Sequence, residues 1–234
     1  MQTVRFVQTL ADSASPVRPL RQPWVRVIIW LAIALPYIVL VVYIVSPRPD
    51  LLAKLHEFRY VLEQFAALAA GISAALAAFA TTIPGYSRRV LIFPLLFVAI
   101  WLGSLVQGCA QEWLRYGIAG LSLRPDWFCF PAIVLVGAVP AVAMVVMLWR
   151  GAPLMPRTTV ALGGLAAAGL GAFGLRLFHP QDAALMVLIW QFGSVFVLAA
   201  LAGSAGRFIL NWASVLENAR RRVVLQETKQ QRVS

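Results

Sequence analysis

Six long runs of residues without a charged side chain make up most of this sequence and decide what it can fold into. A helix rises about 1.5 Å per residue and the hydrocarbon core of a bilayer is about 30 Å thick, so about 20 apolar residues cross it. The runs are 18 to 24 residues long and cover residues 27–47, 64–87, 90–111, 127–149, 158–175 and 183–206. The sequence therefore predicts an all-α, polytopic integral membrane bundle of six transmembrane helices.

Composition and the polar ends of the chain define three predicted domains. Hydrophobic residues are 61% of the chain and charged residues 12%, which is unusual for a soluble protein. The domains are an N-terminal segment (1–26), the transmembrane domain (27–206) and a basic C-terminal helix or tail (207–234). The first apolar run is too long for the apolar part of a cleaved signal peptide, so we expect it to remain as span 1.

The distribution of charge predicts the orientation of the chain in the membrane. With the N-terminus in the cytoplasm, the inner segments carry 14 Lys and Arg residues and the outer segments carry 6. Cytoplasmic loops hold an excess of these residues, so both termini are predicted to be cytoplasmic. This topology also accounts for the net charge of +11, and we expect no direct contact with nucleic acid. Contact with anionic membrane lipid is sufficient to explain the arginines at positions 220–222 of the tail.

Small residues indicate which spans lie at the centre of the bundle. Span 2 is rich in alanine, and span 5 places Gly163, Ala167 and Gly171 at four-residue spacing. Such spacing lets helix backbones approach closely in a membrane. We therefore expect spans 2 and 5 to be central.

Tryptophans near the ends of the spans predict aromatic belts at the two membrane surfaces. Trp24 and Trp30 lie near the inner end of span 1, whereas Trp113 and Trp127 lie at the outer ends of spans 3 and 4. Tryptophan is enriched at both membrane–water interfaces. All four are predicted to lie there.

Transport and catalysis find little support in the sequence. The six runs contain no Asp, Glu, Lys, Arg or His, whereas ion pathways usually need ionisable groups inside the membrane. The motifs HExxH and GxSxG and a glycine-rich phosphate loop do not occur in the chain, so we expect no enzyme. A small-molecule or metal permease is the alternative function.

The predicted outer face carries both cysteines. Cys109 ends span 3 and Cys129 begins span 4, with 19 residues between them. Outside a bacterial inner membrane, such a pair can oxidise. Three interpretations remain open: a structural disulfide, a sensing thiol pair that reacts with a metal or an oxidant, and two unpaired buried thiols.

The two histidines, His56 and His179, are also predicted to face outward. Thiolate and imidazole together suit soft or borderline ions such as copper or zinc. A transient metal site formed by Cys109, Cys129 and His179 is therefore one hypothesis, if the bundle brings their loops together.

The N-terminal segment carries a short apolar stripe. Phe6, Val7 and Leu10 share one face if residues 3–12 form a helix. Such a short helix is marginal alone in water but can order in the groove of a partner. The predicted partner-binding residues are Val4, Phe6, Val7, Leu10, Val17 and Leu20. The alternative is a disordered or membrane-lying tail.

Short motifs follow one another in a characteristic order from the N-terminal segment to span 6. They are Leu10-Ala11-Asp12 with Pro16-Val17-Arg18-Pro19-Leu20, Pro47-Arg48-Pro49-Asp50-Leu51, Gly108-Cys109 with Trp113, Pro125-Asp126-Trp127-Phe128-Cys129, Arg150-Gly151-Ala152-Pro153-Leu154, Leu175-Arg176-Leu177-Phe178-His179-Pro180, and Trp190. Over residues 3–210 the chain thus resembles the NrsF family, six-span membrane anti-sigma factors of Gram-negative bacteria.

The resemblance implies a function and a location in the inner membrane. In such a protein, the cytoplasmic N-terminal segment, here residues 3–20, holds an extracytoplasmic-function sigma factor inactive. A metal or oxidative stress signal at the outer cysteines, here Cys109 and Cys129, then releases it. The chain departs from the family at Pro180, where many members have a cysteine directly after the histidine of the last loop.

Overall fold

Six membrane-length helices form the structure, a computed structural model that describes residues 20–83, 85–121, 126–151, 155–180 and 182–210. Within these ranges all regular secondary structure is helical, and the predicted fold class is confirmed. The helices are α1 (Pro23–Val45), α2 (Phe58–Ala80), α3 (Ile92–Tyr116), α4 (Cys129–Leu148), α5 (Pro156–Leu175) and α6, which joins Ala184–Met186, Val187–Phe192 and Gly193–Ile209. The middle segment of α6 is a π-helix. Shorter helical turns cover Leu51–Lys54, Arg88–Leu91 and Gly117–Leu121.

Consecutive helices run in opposite directions, so the bundle has two distinct ends. At one end α1, α3 and α5 finish and α2, α4 and α6 begin. Contacts such as the backbone hydrogen bond of 3.0 Å from Arg48, after α1, to Leu177, after α5, join the chain there. We call it the cysteine end, because Cys129 begins α4 there. The other end is called the opposite end.

The central position of α2 and α5 is confirmed. In their most apolar windows 61% and 67% of residues are buried, against 22–39% in the other four helices. Glycines, which have no side chain, allow this packing. A Cβ at Gly171 would lie 2.7 Å from the Ile133 carbonyl oxygen of α4, and one at Gly71 would lie 2.8 Å from Leu170 of α5. The backbones of α2, α4 and α5 therefore pack in direct contact.

Two helices contain buried ionisable residues, so the expectation of spans free of such groups is wrong. Helix α2 begins at Phe58 rather than at residue 64 and includes Glu63, which is 2% exposed. Helix α1 begins at Pro23 and includes Arg26, which is 5% exposed. The hydropathy pattern did not place these two charged residues inside helices, because the partners that stabilise their charges are distant in sequence.

Arg26 ties three helices together at the opposite end. One guanidinium nitrogen donates to the Thr82 hydroxyl over 2.8 Å, and another donates to the backbone carbonyl of Met147. The guanidinium also lies 4.3 Å from the centre of the Phe79 ring. The start of α1 is thus bound to the ends of α2 and α4.

Trp30 belongs to the core rather than to an aromatic belt, which corrects the prediction from its position. It is 0% exposed, and its indole N–H donates to the Pro140 carbonyl of α4 over 2.8 Å. Trp24, Trp113 and Trp127 are 53–77% exposed, as membrane-surface tryptophans should be.

Candidate functional site

Three side chains that can bind a metal ion meet at the cysteine end: Asp126, Cys129 and His179. One ligand atom of each lies within 4.8 Å of the other two. The Cys129 thiol donates a hydrogen bond of 3.1 Å to Oδ2 of Asp126, and Nε2 of His179 lies 2.8 Å from the same oxygen. The carboxylate therefore bridges the sulfur and the imidazole.

Local structure at two helix ends places these residues. Cys129 is the first residue of α4, and its N–H donates to the Asp126 carbonyl over 3.3 Å in the preceding turn. His179 lies in a turn that follows α5, where its N–H donates to the Leu175 carbonyl over 2.8 Å. The Phe128 ring lies 5.6 Å from the imidazole ring. Two short turns, one before α4 and one after α5, thus form the site.

The sulfur is the most buried part of the site. Cys129 is 0% exposed, whereas the side chains of Asp126 and His179 are 12% and 19% exposed. Burial acts to raise the pKa of Asp126, but hydrogen bonds from Cys129 and His179 outweigh it and lower that pKa below its ordinary value. An ionised carboxylate can only accept hydrogen bonds, so Nε2 of His179 carries the hydrogen in this contact.

The donor set fits a borderline or soft divalent cation. Thiolate, imidazole and carboxylate all bind zinc, and tetrahedral bonds of about 2.0–2.3 Å place ligand atoms about 3.3–3.8 Å apart. The three ligand atoms lie within 4.8 Å of one another, and Sγ and Nε2 lie 3.1 Å and 2.8 Å from Oδ2 of Asp126. An ion would therefore replace these two hydrogen bonds and move the carboxylate away from the sulfur and the imidazole. Binding would remove the thiol proton and move the imidazole hydrogen to Nδ1, because cysteine binds as thiolate and histidine as the neutral ring.

Cys109 lies apart from this group of three donors. Helix α3 continues to Tyr116, so Cys109 lies seven residues, about 10 Å, before its end rather than at the end as predicted. Its neighbour Gly108 packs against the Arg59 guanidinium, since a Cβ there would lie 2.7 Å from Nη1. Both cysteines are free thiols. Of the predicted ligands, the structure brings together Cys129 and His179 and adds Asp126.

A cluster of ion pairs, formed by Arg48, Asp50, Lys54 and Asp182, lies at the same end. Arg48 contacts Asp50 at 2.6 Å and Asp182 at 2.7 Å, and Lys54 contacts Asp182 at 3.1 Å. The hydrogen bonds that the Arg48 guanidinium donates to Asp182 and Asp50 raise the pKa of Arg48. Burial opposes ionisation of Asp182, yet hydrogen bonds from Arg48 and Lys54 lower its pKa to about 2. All four groups are therefore charged at neutral pH.

These ion pairs hold the segment that carries His179. Arg48 donates its backbone N–H to Leu177, two residues before the histidine, and its guanidinium binds Asp182, three residues after it. The loop between α1 and α2 thereby fixes both sides of the turn after α5. The imidazole position depends on contacts from a distant part of the chain.

A buried ion pair between Glu63 of α2 and Arg176 after α5 lies beneath this cluster. The two charged atoms are 2.6 Å apart, and the side chains are 2% and 4% exposed. The Tyr60 hydroxyl donates to the Arg176 carbonyl over 2.9 Å, and its ring centre lies 4.9 Å from the guanidinium. The pair thus connects α2 to the end of α5.

A second set of contacts connects α2 to α3 and α6. Arg59 lies 3.5 Å from Glu63 and 3.7 Å from Glu112 of α3. The Glu112 carboxylate accepts a hydrogen bond of 3.0 Å from the N–H of Ala184, the first residue of α6. Ionic contacts therefore join most of the helix ends around the candidate site.

The sequence analysis treated Asp126 only as one of the outer charges and did not place it beside Cys129 and His179. The signal was present as Asp126-Trp127-Phe128-Cys129 before an apolar run, because residues three apart in a helical turn are neighbours. His56 lies away from the group, and its Nδ1 is 2.9 Å from the Leu52 carbonyl.

The predicted partner-binding stripe lies almost entirely outside the described residues. Val4, Phe6, Val7, Leu10 and Val17 precede residue 20, the first described residue. Leu20 itself is 37% exposed. Binding of a partner by this segment stays a prediction.

The fold and the site together define a multi-pass membrane protein with a thiol, an imidazole and a carboxylate gathered at one end of a six-helix bundle. Residues 10–212 match the NrsF family, described as negative regulator of sigma F. Because the match covers most of the chain, the protein belongs to the NrsF family of negative regulators of sigma F, as its motifs predicted. No curated protein and no solved structure matches the chain.

Proposed function

We propose that this protein is an anti-sigma factor of the bacterial inner membrane that senses metal ions at its periplasmic face. Its N-terminal segment binds an extracytoplasmic-function sigma factor in the cytoplasm, and a metal ion at the Asp126–Cys129–His179 group releases it. The observation that carries the proposal is this group of three donors at the cysteine end. Family membership supports the sigma factor as partner.

The geometry supports signalling across the membrane. Helix α1 begins at the opposite end, so the N-terminal segment precedes the bundle at the end away from Cys129. The excess of Lys and Arg in the segments predicted to be inside supports a cytoplasmic location for that end. The sulfur and the sigma-binding segment then lie on opposite sides of the bilayer.

The environment of Cys129 favours a metal over an oxidant as the signal. Oxidation to a disulfide needs a second thiol, and Cys109 lies outside this group, whereas two further metal ligands, Asp126 and His179, lie beside Cys129. A cation interacts directly with the anionic Asp126 at the rim and displaces the thiol proton as it binds.

A contact between two tryptophan rings connects the site to α6. The rings of Trp127 and Trp190 are 5.4 Å apart and meet edge to face, and Trp127 lies between Asp126 and Cys129 in sequence. Trp190 belongs to the π-helical segment Val187–Phe192, and such segments often mark functional sites. A shift of this ring contact on metal binding would change the packing of α6, and α6 continues to the opposite end. The signal acts through its different affinities for two states of the bundle.

A substitution in the N-terminal stripe tests the proposed function. We expect Leu10→Asp to free the sigma factor without any metal, because a carboxylate in an apolar contact costs several kcal/mol. A sigma-dependent reporter should rise roughly tenfold or more in uninduced cells, and the full-length protein purified from membranes should no longer retain the sigma factor.

Gln8→Asp is the matched control, since it adds the same charge on the other side of a helix through residues 3–12. It should leave both the reporter and the retained sigma factor unchanged. A reporter that stays low in the Leu10→Asp strain would reject the sigma-binding role of this segment. If the protein is a permease, the reporter should stay low in the Leu10→Asp strain, and loss of the protein should change metal or solute uptake.

A further inference from the structure

A groove at the opposite end of the bundle lies outside the proposed sensing mechanism. It has a volume of about 550 Å³ and runs between the start of α5 and the end of α6. Its lining residues are Arg157, Thr158 and Ala161 of α5 and Ala200, Gly203 and Ser204 of α6. The groove therefore combines polar groups near the helix end with small apolar residues further along.

Small residues create this groove. A Cβ at Gly203 would lie 2.9 Å from Cβ of Ala161, and one at Gly206 would lie 2.8 Å from the Pro156 carbonyl oxygen. The α6 backbone thus lies directly against the first turns of α5. Beside this contact, Ala161 and Ala200 are too short to fill the space, which leaves an open apolar wall.

The polar rim of the groove has unused hydrogen-bond donors. Arg157 is exposed and has no acidic partner among the residues that the structure describes. Within the same ranges the Thr158 hydroxyl has no hydrogen-bond partner either. The Ser204 hydroxyl already donates to the Leu201 carbonyl over 2.8 Å, so the free donors of the rim are those of Arg157 and Thr158. A guanidinium and a hydroxyl together form a binding site for a phosphate group.

The depth of these residues matches the layers of a phospholipid. Arg157 is the second residue of α5, at the end of a membrane-length helix, whereas Ala161 lies about one turn, or 6 Å, further along the helix. A headgroup phosphate at Arg157 would therefore place its acyl chain along Ala161, Ala200 and Gly203. Charge at the rim and an apolar wall below are what an anionic lipid requires.

We propose that the groove between α5 and α6 binds an anionic phospholipid. The Arg157 guanidinium and the Thr158 hydroxyl hold the phosphate, and the wall formed by Ala161, Ala200 and Gly203 holds an acyl chain. A free phosphate ion would use the rim alone, whereas the lipid uses both parts. The proposal does not depend on the sensing role of the cysteine end.

The test measures lipid binding to the purified full-length protein. Native mass spectrometry in detergent, with phosphatidylglycerol or phosphatidylcholine added, counts bound lipids and gives their affinities. We expect the wild-type protein to prefer phosphatidylglycerol. Arg157→Gln should weaken that binding about fivefold to tenfold, in keeping with about 1 kcal/mol or slightly more for one basic residue.

Two further variants separate a groove from a merely basic surface. Arg150→Gln removes the same charge from an exposed residue near the same end, outside the groove lining, and should bind phosphatidylglycerol like wild type. Ala200→Phe keeps every charge but fills the apolar wall, and it should weaken binding as much as Arg157→Gln does. Equal losses in Arg157→Gln and Arg150→Gln, or unchanged binding in Ala200→Phe, would overturn the proposal. Displacement of the lipid by inorganic phosphate at similar concentrations would also overturn it, in favour of a free-anion site.

Discussion

Arg176→Met is expected to lower the free energy of unfolding by about 3–5 kcal/mol, because removal of one partner of a buried ion pair leaves the other charge unpaired. The remaining partner is Glu63, whose side chain is 2% exposed. The substitution also removes the guanidinium that lies 4.9 Å from the Tyr60 ring centre. Denaturant unfolding of the purified protein in detergent, followed by circular dichroism, measures the loss.

A nearby arginine limits the size of this effect. Arg59 lies 3.5 Å from Glu63, and its partly exposed side chain can move toward the unpaired carboxylate. We therefore expect the lower part of the range. The double variant with Glu63→Leu and Arg176→Met should recover most of the lost stability, because apolar side chains then replace both charges.

Arg115→Met is the control for this prediction. Arg115 is an exposed arginine in the last turn of α3, at the same end of the bundle. Its substitution should change the free energy of unfolding by less than about 0.5 kcal/mol, as surface substitutions usually do. Equal stability of Arg176→Met and Arg115→Met would show that the buried pair contributes no net stability.

The number of helices and the central position of α2 and α5 could be predicted because both depend on local composition. About 20 uncharged residues in a row have few alternatives to a membrane span, and the small residues of α5 pack where their spacing suggested. The helix ends could not be predicted in this way. Glu63 and Arg26 are compatible with a buried helix only because Arg176 and Thr82, distant in sequence, become their partners.

The candidate site, too, could be predicted only where its contacts are local in sequence. The contact between Asp126 and Cys129 is local and can be recognised from their spacing. The contact with His179 spans 53 positions. It depends on a backbone hydrogen bond from Arg48 to Leu177 before the histidine and on the ion pair between Arg48 and Asp182 after it. The separation of Cys109 depends on how far α3 continues beyond it. The apolar run did not reveal this because it stops before the charged residue Glu112, whereas the helix continues to Tyr116.

Cys129→Ser is expected to abolish release of the sigma factor by metal, whereas Cys109→Ser should retain most of it. The family resemblance implied sensing by both cysteines, but of the two only Cys129 shares a group of donors with His179 and Asp126. Serine can keep the hydrogen bond to Asp126, so the fold should persist, but its hydroxyl is a poor ligand for a soft ion. Loss of this ligand should weaken metal binding by about 100-fold or more, since even outer partners of metal ligands contribute about 10–100-fold.

Two measurements on the same pair of variants test this assignment. Cadmium titration of the full-length protein in detergent, followed by thiolate-to-metal charge-transfer absorption, should give a signal in wild type and Cys109→Ser but not in Cys129→Ser. Binding should weaken as the pH falls, because the thiol must lose its proton before it coordinates the ion. In cells, the sigma-dependent reporter should respond to cadmium or zinc in the same pattern. Equal loss in both variants would instead favour a site that uses both sulfurs, and an unchanged response in Cys129→Ser would exclude this group as the sensor.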